Sequence, residues 1–102
     1  MRLKAGVRTT GIQSALVLAV LAADYVYRQH GAELVITSIV DGIHSVGSLH
    51  YVGAAFDART RHLANGLAQV ITGELRERLA DDFDVVLEPD HIHVEWQPKQ
   101  PL

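Results

Sequence analysis

Two short stretches concentrate the groups that hold a divalent metal or move a proton: Ser48-Leu-His50-Tyr-Val-Gly53-Ala-Ala55-Phe-Asp57 and Glu88-Pro-Asp90-His91-Ile-His93-Val-Glu95. The 102 residues include no cysteine, so disulfides and thiolate metal sites are excluded and any metal falls to imidazole, carboxylate and water. His50 and Asp57 lie seven positions apart, and on one regular strand they would point to opposite faces. Gly53 resolves this, because a glycine can take positive φ or a bulge and turn the chain so that Asp57 returns to the side of His50. With His93 arriving from a neighbouring C-terminal strand, two imidazoles and one carboxylate would leave a fourth tetrahedral position open to water. That is the pattern of a catalytic zinc rather than a structural one.

Each residue also has a plainer explanation. A histidine beside an apolar strand often only packs or sits on the surface. Asp57 stands among Ala54, Ala55, Phe56 and Ala58, where a carboxylate needs a partner to offset its desolvation; the alternative is that it caps a helix beginning at Thr60. The joint occurrence of all these groups, not any one of them, favours metal.

The elements that must position these residues follow from periodicity. Ile12, Ala15, Leu16, Ala19, Val20, Ala23, Val26 and Tyr27 recur at helical spacing, with Ser14 as the expected cap and Gly31 as the stop. Glu33 to Ile39 reads as a buried strand and Val40 to Leu49 as a loop carrying Asp41 and His44. Val52 to Ala58 reads as a second strand. Thr60 to Ala80 reads as a helix with Leu63, Leu67, Val70, Ile71, Leu75 and Leu79 inward, Gly66 and Gly73 on one face, and Glu74 paired with Arg78. Phe83 to Leu87 and His91 to Trp96 read as a hairpin across Pro89-Asp90. The expectation is an α+β fold: a single domain over residues 1–102 with a small, mainly antiparallel sheet and helices packed on it.

Composition narrows the function. Nine Lys and Arg against twelve Asp and Glu give a net charge of −3, which argues against a nucleic-acid binder and an anionic-membrane binder. The apolar run Ala15 to Ala23 follows Arg2, Lys4 and Arg8 in the manner of a signal peptide. It is too short to span a bilayer, which takes about 20 residues, and its helical period continues past it, so a core helix is expected and no signal for secretion.

The two stretches together read S-x-H-x-x-G-x-A-x-D followed by a late H-x-H, and here the chain resembles the zinc D-alanyl-D-alanine peptidases and the hedgehog signalling domain that shares their fold. The likeness runs from Val35 to Glu95 and includes the strand end Ile36-Thr-Ser38. It implies that His50, Asp57 and His93 bind Zn²⁺, and that an acid takes the proton of the metal-bound water and passes it to the leaving amine. Asp90 stands three residues before the last ligand, as in many of these peptidases. Glu88 matches the upstream glutamate of hedgehog domains, and its longer reach from the end of a strand favours it slightly. His91 should share the face of His93 and either donate to a developing oxyanion or orient the acid, with Glu95 behind the histidines. Ser48 fixes the loop or a ligand.

One departure bears on specificity. Larger carboxypeptidases of this type carry a substrate-binding arginine in the loop after the Thr-Ser strand, where this chain has Asp41 and His44. Arg59 and Arg61 could supply positive charge for a peptide carboxylate, or simply be surface arginines. The resemblance implies a hydrolase of peptidoglycan stem or cross-link peptides, endopeptidase or carboxypeptidase. Its size is that of bacteriophage-type members, made in a bacterial cytoplasm and reaching the wall at lysis or as a virion part. The rivals are a zinc-binding interaction module and a phage structural protein without activity.

Overall fold

The structure is a computed structural model, and it describes residues 1–39 and 54–97. The first helix, α1 (Ser14–Gln29), buries Leu16, Ala19, Val20, Ala23, Val26 and Tyr27, the stripe that the helical period requires. Ser14 is already inside the helix, whose N-cap is Gln13 with no side-chain capping bond, so the expected serine cap is not made. At the other end Gly31 takes φ +69°, the left-handed stop that glycine permits.

The second helix, α2, spans Leu67–Leu79, seven residues later than periodicity suggested. Leu63 continues the apolar period but lies in a turn closed by its N–H on the Thr60 carbonyl. Gly66 caps the helix at φ +83°, a conformation that excludes it from the helix body. Ile71 and Leu75 are buried, whereas Val70 is half exposed rather than inward. Glu74 takes His30, the C-cap of α1, at 2.9 Å, and Arg78 lies over the Tyr25 ring, so the expected Glu74–Arg78 pair gives way to contacts between α2 and α1 with its cap.

The strands β1 (Arg2–Leu3), β2 (Val35–Ser38), β3 (Ala55–Arg59), β4 (Phe83–Leu87) and β5 (His91–Trp96) form one sheet in the order β1-β2-β3-β5-β4. All neighbours are antiparallel except β1, which pairs parallel to β2 at the edge. The sheet is therefore mixed, and β1, two residues long, is too short to leave a sequence signature. The fold is α+β, with two helices and five strands. A short 3-10 turn, Ala80–Asp82, joins α2 to β4.

Alternation along β3 and β5 divides the sheet. Phe56, Ala58, Ile92 and Val94 join the helices in the core. Asp57, Arg59, His91, His93 and Glu95 take the alternate positions and therefore occupy the other face. Tyr27 ties α1 to this arrangement: fully buried, it donates its hydroxyl to the Arg59 carbonyl at 2.9 Å, and burial pushes its phenol well above the usual range. Among the described residues, no helix is long and apolar enough to cross a membrane.

Removing that tie tests the layering. Tyr27→Phe keeps the ring and loses one buried hydrogen bond, so urea unfolding should show a loss of about 1 kcal/mol without a change of slope. An unchanged midpoint would mean that α1 and β3 are not coupled through this bond.

Candidate functional site

The antiparallel register sets Asp57 directly opposite His93, Arg59 opposite His91 and Ala55 opposite Glu95. Directly opposed side chains on one face lie within contact range, so residues 36 positions apart in sequence become neighbours. His93 Nδ1 lies 2.9 Å from Asp57 Oδ1, and its Nε2 lies 3.0 Å from Glu95 Oε1. The Gln97 amide donates to the other Glu95 oxygen. The side chains of Asp57, His93 and Glu95 are only 16%, 22% and 18% exposed, so the imidazole is held between two largely covered carboxylates.

On the far side of Asp57 the next strand departs from regular register. Ile36 pairs with Ala58 but Ser38 with Asp57, which leaves Thr37 as an extra residue on β2. The Thr37 hydroxyl donates to the Asp57 carbonyl at 3.4 Å. The Thr-Ser strand end thus abuts the site. Asp57 sits within β3 and α2 starts only at Leu67, so capping a helix is not its role.

His91 joins the group from the same strand. Its Nδ1 donates to Asp90 Oδ1 at 2.6 Å, and its Nε2 stands 3.7 Å from Asp57 Oδ1, near but beyond hydrogen-bond range. Asp90 itself is highly exposed, and the hydrogen bond from His91, then that ring's charge, hold its carboxyl below the usual range. It is therefore an anion near neutral pH. Asp57, Asp90 and His91 open onto a hollow of about 340 Å³ whose wall also includes Lys4, Thr37, Arg59 and Arg61. Glu88 is exposed and outside that wall; its backbone N–H closes the β4–β5 turn on the His91 carbonyl at 2.8 Å. Of the two candidate acids, the structure brings Asp90 and not Glu88 to the hollow.

The donor chemistry of Asp57 and His93 suits zinc: one carboxylate oxygen and one imidazole nitrogen, 2.9 Å apart on adjacent strands. Ligands about 2.0 to 2.1 Å from a tetrahedral ion stand little farther apart than this. Glu95 on the second ring nitrogen is the carboxylate that a metal-binding histidine needs to fix its tautomer. Among the described residues, no three histidine, aspartate or glutamate side chains form a group that could hold a metal ion. The expected third ligand, His50, lies outside the described residues, as do Asp41, His44, Ser48 and Gly53.

A larger hollow, about 570 Å³, is bordered by Tyr25, His30, Glu74 and Arg78 of the two helices. Among its described residues the one histidine, His30, is hydrogen-bonded to Glu74, so this hollow offers less chemistry than the sheet face. Lys4 was invisible to motif reading, since only the unforeseen edge strand brings it near Asp57. Compared with protein-family models, with curated proteins and with solved structures, the chain has no match. What the site does must therefore be argued from its own residues.

The His93 environment makes a pH prediction for the metal-free protein. The hydrogen bond to Asp57 is the main cause that pushes its pKa up to about 9; burial opposes this and Glu95 adds to it. An unfolded histidine titrates near 6.5, so the folded protein holds an extra proton between about pH 6.5 and about 9. The stabilisation is complete below about pH 6.5 and is lost as pH rises through about 9, on the order of 2 kcal/mol once solvent screening is allowed for. Unfolding midpoints recorded across that range should fall in the wild type and lie flatter in Asp57→Asn. A wild-type profile as flat as the variant's would contradict the pairing.

Proposed function

We propose that this chain is a zinc-dependent peptidase of the hedgehog/D-Ala-D-Ala-peptidase fold that hydrolyses an amide bond in peptidoglycan stem or cross-link peptides. The observation that carries the reading is the pairing of Asp57 with His93: the aspartate that ends the first motif and the last histidine of the second meet at 2.9 Å across two strands. The coarse α+β layout is compatible with that fold. The setting is that of a bacteriophage-type enzyme, made in a bacterial cytoplasm and meeting the wall at lysis or as a virion part.

Asp57 Oδ1 and His93 Nδ1, with His50, would hold the ion. When bound, zinc supplies a Lewis acid that polarises the scissile carbonyl and lowers the pKa of its water. Glu95 accepts the Nε2 proton of His93, which keeps Nδ1 aimed at Asp57 and prevents the ring from turning. Asp90 is the proton acceptor. It stands three residues before His93, borders the hollow and is kept anionic by His91. A carboxylate so placed takes a proton from attacking water and returns it to the amine that departs. His91, fixed through Nδ1 on Asp90, turns Nε2 toward Asp57, from where it can donate to negative charge developing on the carbonyl oxygen. Glu88, whose backbone N–H closes the turn that carries Asp90, lies outside the wall of the hollow.

Digestion of purified peptidoglycan, with released amines and peptides followed by mass spectrometry, checks this assignment. Wild type should release new termini, and a chelator should stop it. Asp90→Asn should retain zinc and lose about 10²- to 10⁴-fold in rate, the range for loss of a general acid–base group, while Glu88→Gln stays within a few-fold. Zinc bound without hydrolysis would make the chain a metal-binding interaction module. Loss of rate in Glu88→Gln alone would move the proton acceptor to Glu88.

A further inference from the structure

The run Ala15 to Ala23 contains no polar residue, so α1 is apolar on every side for about two and a half turns. A helix of that kind is ordinarily covered all round. Here one side is covered: Leu16, Ala19, Val20 and Ala23 face the core, whereas Val17, Leu18, Leu21 and Tyr25 are between 40% and 68% exposed. At 3.6 residues per turn the exposed four lie directly opposite the core stripe and point away from the sheet. Ser14 bounds the patch at one end, and Arg28 and Gln29 at the other.

Four large side chains exposed to this extent leave roughly 400 Å² of apolar surface, as much as the largest patch on a typical monomer and of the kind that marks an interaction site. Paired with its own copy, the patch removes about 800 Å² from water, and the polar rim brings the total to about 1,000 Å², the lower limit for a specific but weak interface. The spacing favours a helix as the occupant. Ser14, Leu18, Leu21, Tyr25 and Arg28 follow at intervals of four, three, four and three, the seam along which two helices pack side by side. A two-fold axis near Leu21 makes that seam self-complementary, with Leu18 of each copy against Tyr25 of the other and Leu21 against Leu21 beside the small Ala22. Charge selects the antiparallel direction. Arg28 and Arg78, which lies over the Tyr25 ring, both stand at the Tyr25 end; a parallel pair would gather four arginines there, and an antiparallel pair keeps them at opposite ends. A helix that lies on a membrane instead carries a face rich in Lys and Arg, whereas the other face of α1 is core and the chain has net charge −3.

We propose that Val17, Leu18, Leu21 and Tyr25 on the outer face of α1 form the interface of a weak antiparallel homodimer. This pairing does not rest on the peptidase reading. The Asp57–His93 pair lies on the other side of the sheet, so both copies keep that face open and turned outward.

Sedimentation equilibrium of the untagged chain from about 1 µM to about 1 mM reads the association directly. The average mass should rise from one chain toward two across that range. Leu21→Lys sets two lysines face to face at the axis and should raise the dissociation constant about tenfold or more, while the unfolding midpoint of the dilute protein stays as in wild type because Leu21 is half exposed. Val70→Lys is the control. Arg78 meets Tyr25 and Glu74 meets His30, so the half-exposed Val70, one turn farther along α2, lies beyond the end of α1, and its substitution should change the dissociation constant by less than about twofold. Should Leu21→Lys fail to fold, single cysteines probe the same contact in a chain that has none: on mild oxidation Leu21→Cys should cross-link to its copy, and Leu18→Cys, set against Tyr25, should not. A mass of one chain at every concentration, or co-sedimentation with phosphatidylcholine–phosphatidylglycerol vesicles in place of self-association, overturns the proposal. So does a dimer that Leu21→Lys does not weaken, or cross-linking of Leu18→Cys as fast as that of Leu21→Cys.

Discussion

Everything at the site depends on the register between β3 and β5. A slip of one residue would set Asp57 against Ile92 or Val94 and carry every polar side chain of one strand into the core. The core opposes it: Phe56 and Ala58 on β3 and Ile92 and Val94 on β5 are all buried in the cluster between sheet and helices, and a slip would turn them to the other face. Hydrophobic packing on one face thus fixes the position of Asp57 against His93 on the other.

The polar face has its own accounting. Two covered carboxylates flank one imidazole, and the proton that the imidazole holds balances part of their charge. On the proposed reading, a divalent ion at Nδ1 would replace that proton with more positive charge at the same point. Asp90 and His91 border the hollow beside Asp57, bonded to each other at 2.6 Å and with His91 Nε2 3.7 Å from Asp57 Oδ1.

Much of this was legible in the sequence because it follows from strict alternation. Phe56 inward with Asp57 outward, His91 with His93 on one side, Glu95 behind His93, and the β4–β5 hairpin are all consequences of period two. Alternation fails to announce three features. The edge strand Arg2–Leu3 is too short to show a pattern, so Lys4 was not foreseen at the site. The start of α2 was misplaced because Leu63 keeps the apolar period through a turn that Gly66 ends. The sequence separates Glu88 from Asp90 only by the reach of a side chain, whereas the fold sets Asp90, bonded to His91, on the wall of the hollow and Glu88 outside it.

The central claim is that the paired Asp57 and His93 are metal ligands and not merely an ion pair. Elemental analysis of untagged protein, after zinc is offered and the excess removed, addresses it directly. The account predicts about one zinc per wild-type chain and none in Asp57→Ala or His93→Ala, each folded by circular dichroism. Wild-type protein without zinc, or variants that keep it, would contradict the account and leave the pair as a structural ion pair on a sheet face.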